Sequence, residues 1–283
     1  MLKIAITGSE GFIGHNLCNY LEQKYDLIKI DKKNGIDILN IKRLDSKIDK
    51  TCSAILHHAA KISAEESVIN PLDTLNTNIV GTLNVLEIAR KKDIPKVIIA
   101  SSAAVYGNTQ KKAKESDKLN PSNPYGTSKV INEINALEYS KLYGITTIIL
   151  RYFNVYGKYQ NPKNPYSGVI SKFLDYAKNN CDIPIFGDGT QTRDFVNVRQ
   201  IIEANRIAIE KLSKSEIYNV CTGRETSINT LAKVIIKLTK SNSKIVYREK
   251  REGDIYKSVG NPEKLRKIGV KIIRLEEGLK EMI

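Results

Sequence analysis

The chain opens Leu2-Lys3-Ile4-Ala5-Ile6-Thr7-Gly8-Ser9-Glu10-Gly11-Phe12-Ile13-Gly14, and this stretch decides the reading of the fold. Leu2 to Thr7 is a short apolar run of the length of a buried strand. Three glycines spaced G-x-x-G-x-x-G follow at once, and Phe12, Ile13, Leu17 and Leu21 then fall on one side of a helix. A strand that turns on glycines into a helix aims backbone N–H groups at an anionic ligand. In this order the pattern is the dinucleotide-binding arrangement, with the pyrophosphate resting on the turn. A glycine motif alone is weak; here the strand before it and the helix after it are both in place.

The segments that follow extend the same pattern. Asp26-Leu27-Ile28-Lys29-Ile30 reads as a second strand and ends in Asp31. An acid there accepts the hydrogen bonds of an adenosine ribose and repels a 2′-phosphate, which favours NAD over NADP. Lys32 and Lys33 lean slightly the other way, and Asp37-Ile38 are candidates to touch the adenine. A third strand runs from Ala54 into the small residues Ala59-Ala60. Its adjacent His57 and His58 point to opposite faces of a strand and do not share a metal, so the segment reads as a wall of the site. A long helix, about Pro71 to Lys92, returns to a fourth strand, Lys96–Ala100, which ends in Ser101-Ser102. Strands alternating with helices at this spacing predict a parallel, doubly wound sheet whose ligands lie at the carboxyl ends of the strands.

Tyr125-Gly126-Thr127-Ser128-Lys129 follows Pro121 and Pro124 and feeds an amphipathic run. On a helix Tyr125 and Lys129 stand side by side, four residues apart. A phenol ordinarily ionises near pH ~10, and a neighbouring cation lowers that value. The pair is therefore expected to accept and return a proton at neutral pH. Alone, such a pair is usually a solvated Tyr and Lys. Ser102, at a strand end facing this helix, can hydrogen-bond a substrate hydroxyl, but no G-x-S-x-G turn marks it as a nucleophile.

Composition narrows the partners. Among 283 residues, 45 Lys+Arg against 31 Asp+Glu give +14. The lysines are scattered and no nucleic-acid-binding motif accompanies them, so no nucleic-acid partner is expected; the positive field instead favours a doubly charged small substrate. Cys18, Cys52, Cys181 and Cys221 form no C-x-x-C pair, which argues against a disulfide framework or zinc ribbon and for a reducing cytoplasm. No apolar run approaches the ~20 residues of a membrane span, and no metal is expected.

Taken together, Gly8/Gly11/Gly14, Asp31, Ser101-Ser102-Ala103-Ala104-Val105-Tyr106-Gly107 and Tyr125-x-x-x-Lys129 resemble the extended short-chain dehydrogenase/reductase family, and within it the nucleotide-sugar epimerases of the UDP-glucose 4-epimerase type. The resemblance continues through Arg151-Tyr152-Phe153-Asn154-Val155-Tyr156-Gly157, Phe186-Gly187-Asp188-Gly189, Thr192-Arg193-Asp194-Phe195-Val196, Arg251-Glu252-Gly253-Asp254 and Leu275-Glu276-Glu277-Gly278-Leu279. It implies NAD as cofactor, held by Gly8, Gly11, Phe12, Ile13, Gly14, Asp31, Asp37, Ile38, His58, Ala59, Ala60, Asn78, Ser101, Tyr125, Lys129 and Tyr152. It implies a nucleotide sugar held by Ser102, Asn154, Val169, Phe186, Arg193, Arg251 and Asp254. Tyr125, Lys129 and Ser102 are its implied catalytic residues: the Tyr125 phenolate takes the sugar 4-OH proton while a hydride leaves C4 and later returns to the opposite face.

Sugar 4,6-dehydratases of the family carry an Asp-Glu pair after the catalytic Ser/Thr, and the decarboxylases a Glu. Ala103 and Ala104 stand there, which leaves simple epimerisation. A reductase, or an epimerase acting at another carbon, is the alternative. The small Ser258 is expected near the sugar C2 substituent, with room for an N-acetyl group. His58 replaces a residue usually apolar in the family, and a homodimer through the Tyr125 helix and the long helix before it is implied. The expected architecture is α/β: a doubly wound parallel (Rossmann) sheet with a smaller C-terminal α/β substrate domain. Residues 1–160 plus about 195–222 are assigned to the NAD-binding domain, and about 161–194 plus 223–283 to the nucleotide-sugar-binding domain.

Overall fold

The computed structural model describes residues 1–164, 167–250 and 255–283. The amino-terminal part alternates strand and helix: β1 (Lys3–Thr7), α1 (Phe12–Leu21), β2 (Asp26–Ile30), α2 (Ile41–Lys47), β3 (Cys52–His57), α3 (Ala64–Ile69), α4 (Pro71–Leu75), α5 (Gly81–Lys91), β4 (Lys96–Ser102), α6 (Pro124–Tyr143) and β5 (Thr146–Tyr152). Then come β6 (Asn154–Tyr156), α7 (Val169–Lys178), β7 (Ile183–Phe186), β8 (Thr192–Arg193), β9 (Phe195–Asn197), α8 (Val198–Glu210), β10 (Glu216–Val220), β11 (Thr226–Ser227), α9 (Ile228–Thr239), β12 (Ile245–Arg248), β13 (Lys257–Ser258), α10 (Glu263–Lys267) and α11 (Leu275–Lys280).

Six strands form the main sheet in the order β10-β5-β4-β3-β1-β2, all pairs parallel. The chain leaves β1 outward to β2 and then crosses to β3 on the other side of β1. That reversal opens a crevice beyond the strand ends, where doubly wound sheets bind ligands. Both faces of the sheet are covered, and alternate side chains serve opposite cores. Ile4, Ile6, Leu56 and Ile98 pack with Leu17 of α1 and Ile201 of α8. Ala5, Ile55, Val97 and Ile99 pack with Val85 and Leu86 of α5 and Ala136 of α6.

The long helix expected between Pro71 and Lys92 is present in three joined pieces. α4 runs into a π turn, Asn76–Val80, and then into α5, with Leu75, Val80 and Gly81 all helical in backbone conformation. α6 starts where the sequence provides a cap. The Asn123 side chain accepts from the Gly126 N–H at 2.8 Å and Pro124 occupies the first turn, where its missing N–H costs nothing.

Three small sheets lie outside the main one, β11-β8-β13, β12-β7 and β6-β9, and Phe173, Leu174, Ile183, Leu231 and Ile235 form a separate core. The stretch 223–283 contributes to more than one core. Leu265 of α10 and Val270 join the core that contains Ile98 and Val220, because they cover apolar surface beside the last strand of the main sheet.

Candidate active site

A cavity of about 790 Å³ opens along the carboxyl ends of the main strands, within the range of ordinary small-molecule sites. Its walls contain Gly8, Gly11, Phe12, Ile13, Gly14, Asp31, Asp37, Ile38, His58, Ala59, Ala60, Ser101, Ser102, Tyr125, Lys129, Tyr152, Asn154 and Val169. All of these are sequence-predicted site residues. One end is the glycine turn. Gly8 has φ +73°, and a Cβ there would lie 2.7 Å from the Ala59 backbone nitrogen, so only glycine lets the turn close against the end of β3. Asp31 caps the turn after β2, accepting from Lys33 N at 2.9 Å and Glu10 N at 3.1 Å. A glycine turn at a helix start, with a fixed carboxylate at the next strand end, fits a dinucleotide carrying an unphosphorylated adenosine ribose.

The other end holds the predicted chemical groups. Ser102 lies at the end of β4, and its hydroxyl oxygen accepts from Ala104 N at 3.1 Å. α6 passes so close to the turn after Ser102 that a Cβ on Gly126 would stand 2.7 Å from the Ala104 carbonyl oxygen. The glycine next to Tyr125 thus sets how near the phenol approaches Ser102. Lys129 is 5 % exposed and donates from Nζ to the Ala100 carbonyl at 2.8 Å, while its ammonium lies 5.8 Å from the Tyr125 ring centre.

The electrostatics depart from expectation. Burial raises the Tyr125 phenol above its ordinary value, and a hydrogen bond with Ser102 works against that rise. The same burial pushes Lys129 down to about 8, opposed by the charge of Glu133 one turn further along α6. The expected lowering of Tyr125 by Lys129 is therefore not what the protein alone provides: desolvation dominates, and the influence opposing it is the Ser102 hydrogen bond. Glu133 in turn holds Arg151 through Nε (2.9 Å) and Nη2 (2.7 Å) and accepts from Ser101 Oγ. Both members of this ion pair are buried.

Several predicted residues lie outside the cavity wall. Asn78 is buried in the π turn, where its side chain bonds the Lys61 N–H (2.8 Å), the Lys61 carbonyl (3.0 Å) and Ser128 Oγ (3.0 Å); it braces the wall from behind. Phe186 ends β7 and Arg193 lies in β8, and neither lines the cavity. Ser258 pairs with Arg193 in β13 and also stands off the wall. Arg251 and Asp254 lie outside the described residues, as do Pro165 and Tyr166. Conversely, Lys61, Asp73, Thr77, Gln160 and Phe195 line the cavity and were not anticipated. Asp73 and Thr77 come from α4 and the π turn, whose irregular winding leaves no mark in an apolar pattern. His57 and His58 face different partners, Thr7 and Thr82 for one and Tyr152 for the other. Among the described residues no three His, Cys, Asp or Glu side chains gather to hold a metal ion.

Comparison with known proteins agrees with this geometry. The family model described as NAD dependent epimerase/dehydratase matches residues 4–221, more than half of the chain. A Methanocaldococcus jannaschii protein provisionally named UDP-glucose 4-epimerase is 41% identical, over 99% of this chain and 97% of its own. The UDP-glucose 4-epimerase of Thermotoga maritima, solved with UDP-glucose, superposes with a TM-score of 0.92 at 32% identity, covering 99% of this chain and 96% of that one. The UDP-N-acetylglucosamine 4-epimerase of Methanobrevibacter ruminantium, in complex with UDP-N-acetylmuramic acid, gives a TM-score of 0.90 at 31% identity, again over 99% and 96%. With the glycine turn, Asp31 and the Ser102–Tyr125–Lys129 group gathered in one cavity, the chain belongs to the NAD-dependent epimerase/dehydratase family.

Proposed function

We propose that the protein epimerises a UDP-sugar at C4, interconverting the gluco and galacto forms of UDP-glucose or of its N-acetyl counterpart, with NAD as cofactor. The observation that carries this reading is the convergence of Ser102, Tyr125 and Lys129 on the cavity that also holds the glycine turn and Asp31. When bound, NAD would supply reversible hydride chemistry at C4, with the glycine turn and Asp31 proposed to hold it. Tyr125 would remove the 4-OH proton and later return it, while Ser102 holds the hydroxyl oxygen in line. Lys129, fixed on the Ala100 carbonyl, would supply positive charge beside the phenolate as it forms. Ala103 and Ala104, in the turn after Ser102, carry no group able to take a C5 proton or protonate a leaving hydroxyl, which favours epimerisation over dehydration. Asn154 and Val169 on the cavity wall, with Phe186, Arg193, Arg251 and Asp254, are assigned to the nucleotide sugar.

The enzyme works as a homodimer in the reducing cytoplasm. Support for the dimer comes from Ile69, Leu72, Ile134 and Leu137, which are exposed on the adjacent helices α3, α4 and α6 and form an apolar face suited to a second copy. All four cysteines are free, in keeping with the compartment. The test is NMR of the purified protein with UDP-glucose and, separately, UDP-N-acetylglucosamine, with NAD added. Appearance of the matching galacto sugar, lost in Tyr125→Phe, is the expected result. No change in either sugar would remove the UDP-sugar 4-epimerase reading.

A further inference from the structure

Two adjacent histidines at the end of β3 are hydrogen-bonded to different hydroxyls, and the contacts of His57 assign its proton. The Thr82 hydroxyl donates to the Asn78 carbonyl at 2.6 Å, so at 3.0 Å it can only accept from His57 Nε2. The Thr7 hydroxyl accepts from the His58 and Ala59 backbone N–H groups at 3.2 Å each and is left to donate to His57 Nδ1 at 2.7 Å. His57 is therefore the neutral Nε2–H form. His58 meets a different hydroxyl, that of Tyr152. Asn205 is buried, and its amide orientation is fixed because Nδ2 donates to the Ile201 carbonyl at 2.8 Å. The same nitrogen donates to the Tyr152 hydroxyl at 2.8 Å. In the proposed arrangement that hydroxyl gives its own proton to His58 Nε2, 3.0 Å away, and the ring proton of His58 sits on Nδ1, a buried nitrogen with no hydrogen-bond partner among the described residues. Burial lowers both rings to about 3, so both stay neutral at working pH.

The His58 and Tyr152 rings lie nearly parallel, at 20° with centroids 5.9 Å apart, and both line the cavity. Tyr152 is also the register partner of Ser102 across β4 and β5, so this two-ring platform adjoins the reacting groups. The hydride must leave the carbon whose hydroxyl Tyr125 deprotonates, and the hydride-accepting ring therefore has to lie beside the same platform. We propose that His58 is a positioning residue for the hydride-accepting end of NAD, acting through Tyr152 by accepting its hydroxyl proton and fixing the plane of its ring. This rests on the assignment of NAD as cofactor. An apolar side chain at position 58 would leave the Tyr152 hydroxyl proton without an acceptor, and the phenol free to turn from the cofactor toward another partner.

The chain has three histidines, so selective ¹⁵N-histidine labelling resolves them. The wild-type spectrum is expected to show His57 protonated on Nε2 and His58 on Nδ1, with Tyr152→Phe releasing only the His58 preference. By calorimetry, His58→Leu should weaken NAD binding by about tenfold while leaving UDP affinity within about twofold. His58→Gln, whose amide oxygen can take the Tyr152 proton, should recover most of the loss. Matching protonation of the two rings, or NAD binding by His58→Leu equal to wild type, overturns the proposal. A wild-type protein with the assigned tautomers that fails to bind NAD would remove the cofactor assignment, and the proposal with it; that result is told apart because the NMR arm needs no cofactor.

Discussion

The Lys129 ammonium stands 5.8 Å from the centre of the Tyr125 ring and spends its hydrogen bond, at 2.8 Å, on the Ala100 carbonyl. The ammonium thus faces the phenol ring while its hydrogen bond goes to the strand end. Burial disfavours charge on both groups, raising the phenol and lowering the lysine. Both shifts favour the uncharged forms, so ionising the phenol calls for favourable charge that the protein alone does not supply.

Tyr125→Phe should remove proton transfer and little else. Turnover is expected to fall by about 10²–10⁴-fold, with NAD affinity retained within a few-fold. NMR of the sugar product and calorimetry of cofactor binding check the two halves.

Lys129 makes a signed contribution to stability. Its value in the folded protein is about 8 against an ordinary 10.5, so between those pH values the unfolded chain binds more protons and stability rises with pH. Lys129→Met lacks this dependence. Its stability advantage over the wild type should be largest below pH 8 and shrink toward pH 10.5, by a total on the order of 3 kcal/mol. Urea titrations at a series of pH values measure it, and a constant gap would contradict the burial of a charged lysine.

Gly126→Ala tests the approach of α6 to the Ser102 turn. The added methyl meets backbone, the Ala104 carbonyl at 2.7 Å, so the helix must move away from Ser102. A shift of several tenths of an ångström should lower kcat by about 10- to 100-fold, while NAD affinity, for which the glycine turn and Asp31 are also proposed, should fall much less.

Glu133→Gln should be costly for stability. It leaves the buried Arg151 guanidinium without its counter-charge, which destabilises by about 3–5 kcal/mol. Thermal melts with and without the substitution measure the loss; a change under about 1 kcal/mol would show that Arg151 finds other partners.

The apolar face on α3, α4 and α6 gives a test of assembly. Leu72 is 81 % and Ile134 56 % exposed, and replacing both with Glu should convert a dimer to a monomer in analytical ultracentrifugation. An unchanged sedimentation coefficient would move the interface elsewhere.

Much of this site is legible in the sequence because several cofactor-side residues sit at strand ends, and strand ends are marked by apolar runs meeting glycine, alanine or serine. Gly8, Asp31, Ala59 and Ser102 are of this kind, and all four line the cavity. The substrate side is harder. Gln160 and Phe195 reach the cavity from a loop and a three-residue strand, elements too short to show a period. Asn78 was assigned to the cofactor by resemblance, yet its amide is consumed by Lys61 and Ser128. The direction of the Tyr125 shift was not legible for a different reason: spacing gives the neighbouring charge but not the depth of burial, which raises the phenol.

The π turn at Asn76–Val80 amounts to one residue more than a regular helix needs over the same path. Each residue of an α-helix turns the chain by about 100°, so the extra one sets the exposed face of α4 at a different azimuth from the buried face of α5. It also lets the Asn78 carbonyl accept from Thr82 Oγ1 and Asn132 Nδ2. The deletion of a single codon in this segment would therefore act at two distant places at once, turning the Leu72 surface relative to α5 and unfastening the helix that carries Tyr125. Insertions and deletions are usually tolerated in loops; here the intolerant position lies inside a helix, and its length is under stricter constraint than its composition.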